Sequence, residues 1–311
     1  MMKRADAARW LLTHDRFAIV THRGPDGDTV GSAAALCRGL RQLGKHAHVL
    51  ANSQVPLKYE YLLEGLTKPH AEENDTVITV DVPAPHMISV DSADLMERID
   101  LRIDHHSSST AFGEKELVDG AAAACGEIVY DLLMEMQVRL DIPMADALYT
   151  AVSTDTGCFR YHNTTSHSYL VAAACKEVSP NLSDIARELF DTVTLGRLRL
   201  QGWIVEHLQL LKGGTVAICA IPLKLKEQLG LTEADMENIS GFPRSIAGVK
   251  LAATLREEEE GPVKLSVRAV PGYDAAAVCE KFGGGGHKGA AGAGLDMTLD
   301  EALEAVKAAM Q

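Results

Sequence analysis

The sequence predicts an α/β protein: a parallel-sheet N-terminal domain over residues 1–190, a helical connector over 191–213, and a smaller α/β C-terminal domain with a mixed sheet over 214–311. Three observations predict this class. Apolar runs such as Phe17-Ala18-Ile19-Val20, Thr76-Val77-Ile78-Thr79-Val80 and Leu101-Arg102-Ile103 lead abruptly into ionisable residues, as buried parallel strands do when their carboxyl ends open onto a ligand crevice. The first run, a helical pattern over 29–43, Gly44 and a second run over 46–51 have the spacing of a right-handed parallel crossover. Beyond Lys212-Gly213-Gly214 the pattern turns to short strands and a hairpin, which marks a second unit.

An amphipathic helix over 3–13 precedes the first strand, expected at 17–21. The turn after it, His22-Arg23-Gly24-Pro25-Asp26-Gly27-Asp28-Thr29-Val30-Gly31-Ser32, places an imidazole and two carboxylates at i, i+4 and i+6. Pro25 and Gly27 hold the turn, and Gly31-Ser32 open a helix through Ala33, Leu36 and Leu40. Two carboxylates two residues apart can each serve a different divalent ion, so the stretch reads as half of a two-metal site. It also fits a helix-capping loop in which Asp28 or Thr29 caps and Asp26 is a turn residue. His46 and His48 read as ordinary strand residues. Residues 59–65 read as a short helix whose tyrosines pack, or else rim a base.

Strands over 76–80 and 101–103 lead to Asp81 and to Asp104-His105-His106. A helix over 121–138 follows, then one entered at Pro143 that ends in Ser153-Thr154-Asp155-Thr156-Gly157. Phe159-Arg160-Tyr161-His162-Asn163-Thr164 is a polar-aromatic loop, the helix over 165–176 carries an exposed His167, and the pattern from 183 to 213 is continuously helical. A strand over 216–221, a hairpin of 249–255 and 263–270 around four solvated glutamates, a helix over 274–281, a strand near 293–297 and a last helix behind the capping box Thr298-x-x-Glu301 complete the chain.

Because strand ends line one edge of such a sheet, His22, Asp26, Asp28, Asp81, His105 and Asp155 are expected to meet there. Imidazole with carboxylate oxygen suits Mn, Fe or Co, and a set without cysteine argues against thiolate zinc. The six cysteines (Cys37, Cys125, Cys158, Cys175, Cys219, Cys279) are scattered as small buried residues of a reducing compartment, with Cys158 alone near the expected site. No apolar run approaches the roughly 20 residues that cross a bilayer, and the start lacks a signal-peptide core, so a cytoplasmic protein away from membranes is expected. The net charge of −13 argues against a partner of long duplex nucleic acid, which calls for a basic stripe. Part of that charge is Asp26, Asp28, Asp81 and Asp155, which two divalent ions would neutralise.

Near the C-terminus, Gly283-Gly284-Gly285-Gly286 precedes His287-Lys288. Amides unshielded by side chains can approach a phosphate closely, although such a run alone also fits a flexible loop. Taken in order, His22-x-x-Pro25-Asp26-x-Asp28-x-x-Gly31-Ser32, the lone Asp81, Asp104-His105-His106, Asp155-Thr156-Gly157 and the glycine run with His287-x-x-Ala290-Ala291-Gly292 resemble the motifs of the DHH phosphoesterases. The last of them resembles the signature of the DHH-associated domain, and the likeness extends from about Phe17 to the end.

The resemblance implies metal-assisted phosphate-ester hydrolysis, with 1–190 the catalytic metal-binding domain and 214–311 the substrate-binding domain. It implies one ion on His22, Asp26 and Asp81 and another on Asp28, Asp81, His105 and Asp155, with Asp81 shared and Mn2+ the first expectation. Such a pair lowers the pKa of a shared water and stabilises charge on phosphate oxygens. His106 would donate to the phosphate or leaving oxygen, and Asp104 would orient the histidines. Gly284, Gly285, Gly286, His287 and Arg268 would bind substrate, although the family usually places Ser where Ala269 stands. Arg160 would lie near substrate, and a surface salt bridge fits it equally.

Within the family, the two-domain length looks most like the branch acting on short single-stranded oligoribonucleotides and 3'-phosphoadenosine 5'-phosphate (pAp). Cyclic dinucleotides such as c-di-AMP, or linear dinucleotides, are the runner-up substrates. Long-strand exonucleases normally carry more domains, pyrophosphatases carry a different second domain, and a non-catalytic nucleotide-binding module would be expected to have lost ligands. A homodimer and a cleft between the domains that grips one chain end are further expectations.

Overall fold

Phe17 and Ile19 turn to one side of the first strand and Ala18 and Val20 to the other, all four without solvent exposure, as a central parallel strand requires. The computed structural model describes residues 2–106 and 111–310, and the chain divides into two compact units, Met1–Thr192 and Val193–Gln311.

In the first unit, strands β1 (Arg16–Val20), β2 (His46–Leu50), β3 (Thr67–Lys68), β4 (Thr76–Val80), β5 (Leu101–Asp104) and β6 (Lys115–Val118) form one all-parallel sheet in the order β3-β2-β1-β4-β5-β6. Helices α1 (Arg4–Thr13), α2 (Gly27–Gln42), short α3 (Leu57–Glu60), α4 (Cys125–Glu135), α5 (Ile142–Asp155), α6 (Ser166–Val178) and α7 (Leu182–Ala186) share a core with Phe17, Ile19, Ile78, Leu101 and Ile103. Ala18, Val20 and Val77 instead meet Val82, Ile88, Leu95 and Ile99, from the stretch that carries the 3-10 turns Pro85–Met87 and Val90–Leu95. The strand order reverses between β1 and β4, the switch point at which such sheets bind ligands.

α2 packs closely on α5. A Cβ at Gly31 would lie 2.3 Å from the Ala147 carbonyl oxygen, and one at Gly27 would lie 2.5 Å from the Thr154 side chain. Gly31→Ala is therefore expected to cost about 1–3 kcal/mol by overpacking, because the obstacle is helix backbone rather than a flexible side-chain end. A thermal melt measures this, and an unchanged Tm would show that α2 does not need glycine at 31.

The second unit contains α8 (Leu195–His207), β7 (Gln209–Leu211), β8 (Val216–Ile221), α9 (Lys224–Leu229), α10 (Glu233–Met236), β9 (Leu251–Arg256), β10 (Val263–Ala269), α11 (Ala275–Glu280), β11 (Gly285–His287), β12 (Ala290–Leu295) and α12 (Leu299–Met310). Its sheet runs β11-β12-β10-β9-β8-β7 and is mixed, with β8 and β9 parallel and the other pairs antiparallel. Leu265, Val267 and Ala269 on β10 pack with α11 and α12, while Cys219 and Ile221 on β8 pack with Leu200 and Ile204 of α8.

The helix expected over 121–138 is shorter, since 121–124 form a turn that α4 follows. The continuous helix expected over 183–213 is broken. A π-turn at Arg187–Asp191 runs into extended Thr192, Thr194 caps α8 by accepting from the Arg197 amide, and 209–211 form β7. Here the β-branched run Thr192-Val193-Thr194 interrupts a leucine pattern that looks uniform by period alone. The last strand begins at Ala290 rather than near 293, and part of the glycine run is strand β11. Edge strands β3 and β6 were not anticipated, as they carry at most one buried residue, Leu117. His48 is buried, 3.6 Å from Asp75, and His167 is half-buried, 3.1 Å from Asp131, rather than exposed. All six cysteines are free, and among the described residues no helix is long and apolar enough to cross a membrane.

Candidate metal centre

The site begins where β1 ends. His22 Nδ1 donates to the Arg23 carbonyl at 2.9 Å, which leaves the Nε2 lone pair facing Asp26 Oδ1 and Asp81 Oδ2, each 3.7 Å away. Asp26 is the N-cap of α2, and its Oδ1 accepts from the amides of Asp28 (3.0 Å) and Thr29 (3.1 Å). The cap is thus Asp26 rather than Asp28 or Thr29, and the helix opens at Gly27. Capping and the candidate ligand role coexist in one carboxylate, because the cap bonds hold the oxygen that faces His22.

Asp28, the second residue of α2, is fully buried. Its Oδ2 accepts from the Cys125 amide at 2.6 Å, and its Oδ1 from the Gly126 amide at 2.9 Å and the Ser32 hydroxyl at 3.0 Å. Those amides open α4, whose N-terminal partial charge favours an anion there. Cys125, rather than Cys158 alone, therefore belongs to the surroundings of the site.

Asp81 follows β4 with φ +58°, a left-handed conformation that Asp adopts more readily than most residues. Its amide donates to the Ile103 carbonyl at 2.9 Å, which ties it to β5. His105 Nδ1 donates to the Ala122 carbonyl at 3.3 Å, so that Nε2 faces Asp81 Oδ1 (3.4 Å), Asp155 Oδ2 (3.4 Å) and Asp28 Oδ2 (3.7 Å). Asp155 is the last residue of α5. Three sets of ligand atoms result, each within 4.8 Å: His22, Asp26 and Asp81; Asp28, His105 and Asp155; and Asp81, His105 and His106.

Burial raises the carboxyl of Asp28 well above its ordinary value, and Asp81 and Asp155 push it further. Burial does the same to Asp81, with Asp26, Asp155 and Asp104 adding repulsion. Asp155 is raised mainly by burial. Although burial opposes ionisation of Asp26, its hydrogen bonding and charge interaction with His22 and the two cap amides hold it below the usual range. Asp81 Oδ1 is buried and accepts no hydrogen bond among the described residues. Crowded carboxylates, an unbonded buried oxygen and two aimed imidazole lone pairs suit divalent cations of the borderline to hard kind.

Asp104 is fully buried and accepts from the amides of His105 (2.9 Å) and His106 (3.3 Å) and from His106 Nδ1 (2.7 Å). His106 Nδ1 lies 3.6 Å from Asp81 Oδ1 but is already held by Asp104, so His106 fits a role through Nε2 better than a ligand role through Nδ1.

Two supports have no sequence signature of their own. Asn163 Nδ2 donates to the carbonyls of Asp155 (3.1 Å) and Ala123 (3.2 Å), joining the end of α5 to the turn that orients His105. Buried Glu127 accepts from the Ala123 amide (3.2 Å) and the Ser168 hydroxyl (2.5 Å), fixing the same turn. Asn163→Ala is expected to weaken Mn2+ binding about 10–100-fold, the usual cost of losing a residue that orients ligands. Calorimetric titration of the chelated chain measures it, and wild-type affinity would remove Asn163 from this role. Arg160 is exposed and lies outside the three sets: its Nε donates to the Gly157 carbonyl at 2.6 Å, and its guanidinium sits 5.9 Å from the Phe190 ring centre.

In the second unit, the antiparallel register pairs Arg268 with Ala290 and Ala290 with His287. Directly paired residues share a face, so Arg268 and His287 stand on the same face two strand spacings apart, roughly 10 Å. Ser266, Gly292 and Gly285 form the next row, mostly bare of side chains. A Cβ at Gly284 would lie 2.2 Å from the Gly292 carbonyl oxygen, and one at Gly286 would lie 2.6 Å from Ala291 Cα. Close strand approach therefore requires glycine at both positions, whatever binds there.

A parallel sheet that gathers carboxylates and imidazoles at its switch point presents a candidate divalent-metal centre, and comparison with known proteins shows the family it sits in. Residues 16–152 match the DHH family, N-terminal domain, and residues 213–311 match the DHHA1 domain. The bifunctional oligoribonuclease and PAP phosphatase NrnA of Thermus thermophilus is 32% identical over 301 residues, covering 94% of this chain and 88% of that protein. The Bacillus subtilis protein of the same name is 25% identical over 304 residues, covering 96% and 95%. An exopolyphosphatase-related protein from Bacteroides fragilis has the same fold, with a TM-score of 0.87 at 24% identity over 99% of this chain and 95% of that one. The chain belongs to the DHH family.

Proposed function

We propose that this chain is a phosphoric ester hydrolase that cleaves short oligoribonucleotides and pAp with two divalent ions, Mn2+ foremost. The observation that carries this reading is the convergence of His22, Asp26, Asp28, Asp81, His105 and Asp155, where burial and mutual repulsion raise the Asp28 and Asp81 carboxyls. His22, Asp26 and Asp81 would hold one ion, and Asp28, Asp81, His105 and Asp155 the other. When bound, such ions activate water and neutralise charge on the phosphate oxygens.

The protein's own groups supply the rest. Asp104 fixes the His106 ring through Nδ1, so a second proton on that ring sits at Nε2, where it can be donated to a phosphate or leaving oxygen. The Arg23 and Ala122 carbonyls set the tautomers of His22 and His105. Arg268 and His287, on one face of the second sheet, would hold phosphate, which makes that unit the substrate-binding domain and the first the catalytic one. The scattered free cysteines fit a reducing cytoplasm.

Short substrates are supported by the names of the relatives and by the net charge of −13, which repels an extended polyanion. With Mn2+ at fixed salt, kcat/KM for pAp and a dinucleotide is expected to exceed that for a long single strand by about tenfold or more. Equal or faster decay of the long strand would reject the short-substrate reading, and preferred turnover of c-di-AMP would move the chain to cyclic dinucleotides.

A further inference from the structure

The face of the second sheet that carries Arg268 also holds a small polar cavity of about 170 Å³. A space of that size holds several waters or a phosphate group. Thr254 of β9 and Ser266 of β10 pair directly across the strands and line it, with Lys264 and Arg268 two residues to either side on β10 and Ser240 of the 3-10 turn Ile239–Gly241 closing it.

The polar groups here are built for a guest. Thr254 is 2% exposed, yet its hydroxyl has no hydrogen-bond partner, a state that native interiors avoid unless something occupies the space. Arg256, at the rim, is matched by Glu258 through two hydrogen bonds of 2.8 and 2.6 Å. Lys264 and Arg268 have no such carboxylate: among the described residues the Lys264 side chain makes no hydrogen bond or ion pair, and the Arg268 side chain bonds only the Val267 carbonyl, at 3.1 Å. Burial first and the neighbouring Arg244 next lower the affinity of the Arg268 guanidinium for its proton. An anion would answer both, and hydroxyl donors beside a cation suit the several acceptor oxygens of a phosphate.

We propose that this cavity is a second phosphate subsite, in which Thr254, Ser266 and Lys264 take a nucleotide phosphate other than the one being hydrolysed. The proposal rests on the β10 face being the substrate-binding face. It also shows how a chain of net charge −13 offers a local basic strip, one that suits a few phosphates rather than a long backbone.

The test is equilibrium binding by the full chain in EDTA, so that no turnover occurs. Anisotropy of a labelled pentaribonucleotide is read directly, and pAp and inorganic phosphate serve as competitors. Thr254→Val keeps the shape and removes only the hydroxyl, so its Tm should equal or exceed that of the wild type. Lys264→Gln removes the charge at a surface position. Each is expected to raise the Kd for the pentaribonucleotide about tenfold and to weaken competition by phosphate. Weakening confined to the pentaribonucleotide assigns the cavity to a backbone phosphate, and weakening confined to pAp assigns it to that ligand's second phosphate. Wild-type binding of all three ligands by both variants overturns the subsite. Arg268→Ala separates the two levels: if it weakens binding while the other two variants do not, only the subsite fails, and if it too is silent, the substrate face itself is misplaced.

Discussion

Replacing Asp81 by Asn is expected to cut kcat at least about a thousandfold, because a two-ion centre must supply much of an acceleration that in enzymes is on the order of 10⁶ or more. Among the described carboxylates Asp81 faces both His22 and His105, so its loss would affect both proposed ions. Asn is the informative substitution. It tolerates the left-handed backbone at φ +58°, fills the same space, and removes only the charge. Burial and the repulsion of Asp26, Asp155 and Asp104 already make that charge costly in the metal-free chain. The variant should therefore melt no lower than metal-free wild type, which separates lost chemistry from lost fold. A near-normal kcat in Mn2+ would remove Asp81 from the centre.

Arg268→Ala and His287→Ala should each lower kcat/KM about 10–100-fold, the range for a hydrogen bond to a charged group, with bound metal unchanged. The loss should appear chiefly in KM if both grip substrate equally in ground and transition states. Because the register sets the two side chains on one face roughly two strands apart, the double variant should lose less than the product of the single losses. Loss of metal from His287→Ala would show that the residue belongs with the ions instead.

Much of the centre was legible in the sequence because strand ends announce themselves: β1, β4 and β5 are apolar runs that lead into His22, Asp81 and Asp104 to His106. What the sequence hid was mostly backbone. The amides of Cys125 and Gly126 that hold Asp28, and the Ala122 carbonyl that aims His105, could be any residue's. Asn163 acts on two carbonyls and sits in an unremarkable polar loop. The sequence offered Asp28 or Thr29 as the cap and Asp26 as a ligand or turn residue; in the fold Asp26 itself caps α2, and the same oxygen faces His22. Glycine 284 and 286 answer to strand packing that no local pattern reveals. Net charge works at a different scale: a sum over 311 residues cannot show that Lys264 and Arg268 flank Ser266 on one strand face.

The central claim is that hydrolysis requires two ions held by these six side chains. Its most direct measurement is turnover of pAp and of a dinucleotide by chelated protein as Mn2+ is titrated back and bound metal is counted. No turnover without metal, with recovery that saturates at two bound ions per chain, is the predicted result. Turnover that survives chelation, or that is complete at one bound ion, would contradict it.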